Sequence, residues 1–419
     1  MSSIKAFRFQ LRARPGIEAQ LRRFAGGCRW VWNAALAEQK ARHERGEKYA
    51  GYAAMCQWLT AWRNAPATEW LSEGPIHPQQ HVLRRLDEAY RRLFAKSGGF
   101  PRFKRRGEEP GIRYPDPKQF ALDCENGRLK LPKLGWVRLR MSRDVEGSLR
   151  NVTITREGNK WFASLQAEMQ ETVPSLDVAP TLGVDMGVAT FAATSDEQKI
   201  APLHALAKQQ HRLRYLQRAV SRKKKGSNNR RKALRLLGNF HRRVARQRVD
   251  WLHKLSTQLA DRHAVIALED LRIKNMSASA KASAEAPGRN VRAKAGLNRS
   301  ILDAAWGEFA RQLAYKCAWR GGEVILVPPA YTSRTCRVCG FEDAANRKTQ
   351  AFFVCVACGH EEHADVHAAK NILAAGHAVW TKERVNSAAS PAAHGEAVSL
   401  ENIPAASAKW ESTEALALQ

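Results

Sequence analysis

Four cysteines and three carboxylates are the residues of this chain whose types and spacing could do chemistry. Cys336 and Cys339 form one C-x2-C pair, Cys355 and Cys358 form a second, and fifteen residues lie between the pairs. That is the spacing of a four-thiolate zinc site. Gly340 and Gly359 each follow a pair, where a tight knuckle needs a residue without Cβ. Thiolates are soft ligands, and a closed set of four leaves zinc no open position, so the metal expected here is structural. Unpaired thiols or two disulfides are the alternatives the spacing leaves open.

The carboxylates are scattered. Asp185 sits inside the apolar run T-L-G-V-D-M-G-V-A-T-F, where an acid is costly unless it is paired or binds metal. Glu269 and Asp270 close a second apolar run, A-V-I-A-L-E-D-L, and acids at the end of a central strand point into the crevice where open sheets place their sites. Asp365 begins a short helical pattern with Ala368, Ala369 and Asn371, and taken alone it reads as a helix cap. Together, Asp185, Glu269 and Asp365 form the kind of acidic triad that a two-magnesium phosphodiesterase uses. Magnesium takes oxygen ligands and keeps positions open for water and substrate. One ion activates the attacking water and the other stabilises the leaving oxygen.

These acids must be gathered by a chain of 419 residues, long enough for two to four domains. Lys plus Arg number 69 against 40 Asp plus Glu, a net charge of +29, which favours a polyanionic partner, nucleic acid or an anionic membrane. No run of eighteen apolar residues occurs and the N-terminus M-S-S-I-K-A-F-R-F has no signal-like core, so no membrane partner is expected and nucleic acid leads. The remaining cysteines, Cys28, Cys56, Cys124 and Cys317, are dispersed among apolar neighbours, a usage that suits a reducing cytoplasm.

From the N-terminus, residues 4–11 alternate apolar and basic, the period of a strand. Pro15 then opens a helix on Ile17, Leu21, Phe24, Cys28 and Val31. Further helices follow, including an amphipathic one at 81–94, with tryptophans that read mainly as core. The segment G-G-F-P-R-F-K-R-R-G interleaves Phe100 and Phe103 with Arg102, Lys104 and Arg105, a pattern suited to backbone contact plus base stacking, or to a solvated basic loop. Short alternating segments over 127–170, punctuated by Gly127, Gly135 and Gly158, predict a small β-barrel or sheet completed by the first strand. Residues 201–259 predict two helices split near Gly226. Lys223, Lys224, Lys225, Arg230, Arg231, Arg242 and Arg243 make that pair a candidate phosphate-contacting hairpin, against the plainer reading of a solvated face. Residues 275–296 lack periodicity and read as a mobile loop or lid. An amphipathic helix is expected over 300–319, the strand E-V-I-L-V-P follows, and from about Val379 the pattern suggests a disordered tail.

The motifs G-V-D-M-G-V, A-L-E-D-L, N-R-S-I-L-D-A-A-W, Y-T-S-R-T-C-x2-C-G, F-x-C-x2-C-G and A-D-V-H-A-A-K-N-I, taken in order, resemble the signatures of the TnpB (OrfB) family of insertion-sequence proteins. C-R-W-V-W-N-A-A-L and F-P-R-F-K-R-R look like that family's too, so the resemblance spans roughly residues 4–375. It implies an α/β chain with a ribonuclease-H-like (RuvC-type) nuclease domain, an inserted four-cysteine zinc ribbon, and an N-terminal β-barrel interrupted by a helical lobe. The implied divisions are 1–14 and 98–173 for a wedge-like barrel, 15–97 for a helical recognition lobe, 174–330 and 361–378 for the nuclease, 331–360 for the ribbon and 379–419 for the tail. Members are described as transposases and act as RNA-guided DNA endonucleases related to type V CRISPR effectors. The resemblance thus implies Mg2+-dependent phosphodiester hydrolysis, a guide RNA from the element's own transcript, a double-stranded DNA target and a bacterial cytoplasmic, nucleoid-associated location. The family's catalytic acids fall on Asp185, Glu269 and Asp365, each with the matching residue type. A nuclease-inactive RNA/DNA-binding regulator and a transposase with direct strand-transfer activity are the alternatives.

Overall fold

The strand β1 (Ser2–Arg12) of the computed structural model finds its partner far downstream, with Ser2 opposite Gln170 and Leu11 opposite Trp161. The structure describes residues 2–108, 110–170, 181–280, 288–329, 332–349 and 351–389. The chain divides into two units, Met1–Gln170 and Glu171–Gln419.

In the first unit β1 is followed by α1 (Pro15–Glu44), α2 (Tyr52–Asn64) and α3 (Ile76–Phe94). Six strands come next: β2 (Ile112–Tyr114), β3 (Ala121–Asp123), β4 (Arg128–Leu131), β5 (Gly135–Arg140), β6 (Ser148–Glu157) and β7 (Lys160–Gln170). With β1 they form one sheet in the order β2-β6-β7-β1-β5-β4-β3. Phe7, Phe9 and Leu11 point inward onto Tyr114, Val152, Ile154 and Leu165, as the two-residue period requires. The helices between β1 and β2 bury a separate core of Val31, Leu36, Met55, Leu59, Leu83 and Leu86. Trp30 stands edge-on to Trp62 and Trp70, so these tryptophans are spent on packing. The expected barrel is not closed by hydrogen bonds among the described residues. The three-residue strands β2 and β3 end the order at opposite edges, and the result is a half-barrel sheet.

The second unit is built on a five-stranded sheet. Its strands are β8 (Thr181–Asp185), β9 (Ala192–Thr194), β10 (Lys199–Ile200), β11 (Val265–Glu269) and β12 (Glu323–Val327), in the order β10-β9-β8-β11-β12. β8, β11 and β12 run parallel, while β9 and β10 are antiparallel additions. The helices are α4 (Gln210–Ser221), α5 (Asn228–Arg262), α6 (Ile273–Met276), α7 (Val291–Ala304), α8 (Trp306–Ala318) and α9 (Ala364–Ala389), with the hairpin β13 (Phe352–Val354) and β14 (Glu361–His363) before α9. The strand β11 is apolar on both faces because both are covered. Ile266 and Leu268 meet Leu252, Leu259, Phe309 and Leu313 from α5 and α8, whereas Val265 and Ala267 meet Ile372 of α9. Two glycines let α9 lie close to the sheet. A Cβ on Gly183 would stand 2.1 Å from the Ala369 carbonyl oxygen, and one on Gly376 would stand 2.6 Å from Ala267 Cβ.

Three expectations are corrected here. The stretch read as a loop to residue 296 becomes helix at Val291, beyond an Asn290 in the left-handed region, while 281–287 lie outside the described residues. The single helix over 300–319 is two, broken at Ala305 with φ of 57°. The tail expected from Val379 is helical to Ala389, because Val379 and Trp380 continue the apolar face of α9 onto β11 and β12. Residues 390–419 lie outside the described residues.

Candidate active site and thiolate cluster

Leu268 pairs in register with Val184, so the next residues, Glu269 and Asp185, are neighbours at the carboxyl ends of adjacent parallel strands. Asp365, in the first turn of α9, joins them from the helix that covers this part of the sheet. Burial, then repulsion from Glu269 and Asp365, pushes Asp185 up to about 7. Burial also raises Glu269, against a hydrogen bond of 2.7 Å that its Oε1 accepts from the Thr332 hydroxyl. Arg347 Nη2 stands 3.7 Å from Asp365 Oδ1, and its charge favours ionised Asp185. Asp185 thus feels the charge of acids from two other elements in a half-buried corner. Such a set fits a hard divalent cation, because oxygen donors and unspent negative charge are what magnesium binds.

The four thiols form a second gathering, of opposite character. Their sulfur atoms all lie within 4.8 Å of one another, with Cys336 Sγ 3.7 Å from Cys358 Sγ and Cys339 Sγ 3.5 Å from Cys355 Sγ. A tetrahedron with Zn–S bonds of about 2.3 Å has edges of about 3.8 Å, whereas a disulfide needs about 2.05 Å. All four cysteines are free, so the disulfide alternative fails and the donor set fits zinc. The two knuckles are near copies. Gly340 N donates to Cys336 O and Gly359 N to Cys355 O, both at 2.9 Å, with φ of 74° and 73° at the glycines.

The cluster is tied to the helix that carries Asp365. Cys336, Cys355 and Phe353 share a small core with Ala364, and Phe353 stacks on the buried His367 ring at 3.7 Å. Glu362 Oε1 accepts from Lys370 Nζ at 2.6 Å, and Oε2 accepts from Arg337 Nε at 3.1 Å and lies 3.1 Å from His367 Nδ1. Burial opposes its charge, but Lys370, His367 and Arg337 hold Glu362 down at about 2. His360, Glu362 and His367 also converge within 4.8 Å. With two cations already on the carboxylate, this group works as a clamp between hairpin and helix.

The candidate nucleic-acid residues lie elsewhere. The 100–105 segment is pinned to α1: Trp32 Nε1 donates to Arg102 O and Asn33 Nδ2 to Lys104 O, each at 3.0 Å. Phe100 and Phe103 remain about half exposed, with Lys40 Nζ 5.3 Å and 4.9 Å from their ring centres. In the α4–α5 hairpin Lys224, Lys225, Arg231 and Arg243 are exposed, and Lys223 and Arg242 are half-buried. Arg230 is different. It is buried, and its guanidinium caps Val220 O and Lys223 O, closing the turn. Sequence reasoning gave no role to Arg347, Thr332, Glu362 or His367. Thr332 and His367 stand inside the quoted motifs Y-T-S-R-T-C and A-D-V-H-A-A-K-N, which was the available signal.

Comparison with known proteins finds three matching family profiles: "Probable transposase" (OrfB_IS605) over residues 157–280, "Cas12f1-like, TNB domain" over 306–372 and "Helix-turn-helix domain" over 1–48. The last stretch here consists of β1 and the single long helix α1. The chain is 48% identical to "Putative RNA-guided DNA endonuclease InsQ" of Escherichia coli K12, covering 90% of this chain and 94% of that one. It is 34% identical to a "Putative RNA-guided DNA endonuclease" of Streptomyces pristinaespiralis, over 89% of each. Among solved structures, Cas12f1 in a complex with sgRNA and target DNA shares the fold, with a TM-score of 0.54 at 15% identity over 86% of this chain and 83% of that one.

Proposed function

This chain belongs to the TnpB (OrfB) family, kin of the type V CRISPR effectors, and from that premise we propose that it is an RNA-guided DNA endonuclease whose catalytic residues are Asp185, Glu269 and Asp365. The observation that carries the reading is their convergence. Two parallel strand ends and one helix start bring together three acids whose burial and mutual repulsion raise Asp185 to about 7. A fold that keeps such an arrangement has a cation to place there. The sheet order, an antiparallel trio beside two parallel strands, agrees with the ribonuclease-H-like (RuvC-type) architecture.

Asp185, Glu269 and Asp365 would hold magnesium, which would supply Lewis acidity for phosphodiester hydrolysis. The chain's own residues do the positioning. Asp185 and Glu269 are fixed by strand pairing, Asp365 by the seat of α9 on Gly183, and Arg347 holds a positive charge 3.7 Å from Asp365. Cys336, Cys339, Cys355 and Cys358 would hold a structural zinc, which would brace the start of α9. The guide is RNA from the element's own transcript, and base pairing reads most of the double-stranded target while the protein reads a short flanking motif and the heteroduplex shape. Arg102, Lys104, Arg105 and the exposed cations of the α4–α5 hairpin contact the nucleic-acid backbone, and Phe100 and Phe103 stack on exposed bases. Among the described residues no helix is long and apolar enough to cross a membrane.

The test is cleavage by the protein co-expressed with RNA from its own locus, wild type beside Asp185→Ala. Mg2+-dependent cutting of matched DNA should fall by about 1,000-fold or more in the variant. Tight target binding without cutting by wild type would replace this reading with a regulator, and joined strands would replace it with a transposase.

A further inference from the structure

The second and third acids are connected to each other by a segment outside the acids themselves. After β12 the chain passes Thr332–Thr335 on its way to the first cysteine pair. Thr332 donates its hydroxyl to Glu269 Oε1 at 2.7 Å. Its carbonyl oxygen accepts from Asn371 Nδ2 at 2.8 Å, and the same amide donates to Thr335 O, also at 2.8 Å. His367 Nε2 lies 2.9 Å from Thr335 O. His367 and Asn371 are four apart, one above the other on one face of α9, the helix that begins with Asp365. One short strap therefore grips Glu269 with a side chain and α9 with two carbonyls.

We infer that the Thr332–Thr335 strap sets the spacing between Glu269 and Asp365, with Thr332 and Asn371 as positioning residues of the site. This rests on the nuclease reading above. The physical need is clear from the packing. The pairing of β8 with β11 fixes Asp185 against Glu269 by backbone hydrogen bonds, but near Asp365 α9 meets the sheet through apolar and glycine contacts, which are non-directional, and its hydrogen bond to β8, between His377 Nε2 and Thr181 Oγ1 at 3.1 Å, lies about three turns further along the helix. The rotation of the first turns of α9 is therefore left to directed bonds, the pairs that Lys370 makes with Glu362 and Glu197 and those to the strap. Two directed hydrogen bonds from one amide to strap carbonyls three residues apart add a restraint at that face of α9. The Thr332 hydroxyl adds a matching restraint on the Glu269 side chain, and it leaves the second carboxylate oxygen for a cation. Asn371 is suited to the task because its amide offers two N–H donors, and both find a carbonyl. Groups that orient metal-binding side chains in this way typically change metal affinity about 10- to 100-fold when removed.

The experiment compares Thr332→Val, which keeps the shape and loses the donor, with Thr332→Ser, which restores it. Each purified protein–RNA complex is titrated with Mn2+ by calorimetry, and DNA cleavage is followed against Mg2+ concentration. Thr332→Val should raise the dissociation constant for Mn2+ and the half-saturating Mg2+ about 10-fold with the melting temperature unchanged, and Thr332→Ser should recover to within about 3-fold of wild type. Asn371→Leu should weaken Mn2+ in the same direction and speed hydrogen exchange in the first turns of α9. Wild-type Mn2+ affinity in Thr332→Val, or a Thr332→Ser variant as weak as Thr332→Val, overturns the inference. If wild type and variants differ in Mn2+ binding while wild type cuts nothing, the strap stands and the nuclease reading falls.

Discussion

The second unit contains two metal-type sites that differ in almost every physical respect. The thiolate cluster draws its donors from two four-residue knuckles and closes around its centre, and its backbone is held by local bonds such as Gly340 N to Cys336 O. The carboxylate site draws its donors from residues 185, 269 and 365 on three elements, and its charges are left to repel. A site made of local turns can form as soon as its segment folds. A site made of distant elements exists only when the sheet and α9 have assembled. The lesson is one of dependence: the local site can be used to fix a component of the distributed one. The shared core of Cys336, Cys355, Phe353 and Ala364 places the junction one residue before Asp365.

That dependence can be broken experimentally. Cys355→Ser removes a thiolate, and zinc content should fall with it. Cleavage should drop about 100-fold because the start of α9 shifts, while Asp185 and Glu269 stay paired. Unchanged cleavage in a zinc-free variant would show the two sites to be independent. Arg347, carried by the ribbon but facing Asp365, sharpens the comparison from the other side. Arg347→Ala should lower cleavage about 10-fold with zinc content unchanged, and Arg347→Lys should restore only part, since an ammonium keeps the charge but lacks the planar fork. Zinc loss in Arg347→Ala would mean that it serves the ribbon alone.

The smallest effect concerns the unspent charge of the triad. Asp185 has its folded pKa raised to about 7, above the ordinary value. Its contribution to stability is therefore fully present below the unfolded pKa of about 4 and is lost as pH rises through about 7. In divalent-free buffer at pH 8, Asp185→Asn should be more stable than wild type by about 2 kcal/mol, a rise in Tm of about 5 °C. The gain should vanish near pH 4, and Mg2+ should reduce it at pH 8 by stabilising wild type alone. Equal melting curves at pH 8 without divalent ions would show that neither burial nor the neighbouring acids oppose the charge of Asp185.

The amino-acid sequence by itself made the thiolate cluster and the apolar strands legible and marked Asp185 as a costly acid, because these rest on local chemistry, whereas Asp365 read locally as a helix cap and joined the triad only through the family resemblance. Cysteine spacing, a glycine after each pair and an acid inside an apolar run are visible within a few residues. The helix break at Ala305 was not visible, since nothing local in A-A-W marks a left-handed residue. Likewise, Arg230 reads as one more cation in a basic run until the hairpin turns it inward onto Val220 O and Lys223 O. The tertiary structure alone decided how the acids meet. The register of β8 on β11, the seat of α9 on Gly183, and the bonds from Thr332 to Glu269 and Asn371 to the strap join residues tens of positions apart. No period of 2 or 3.6 residues encodes such contacts. They follow from packing, which selects one geometry only after every element is in place.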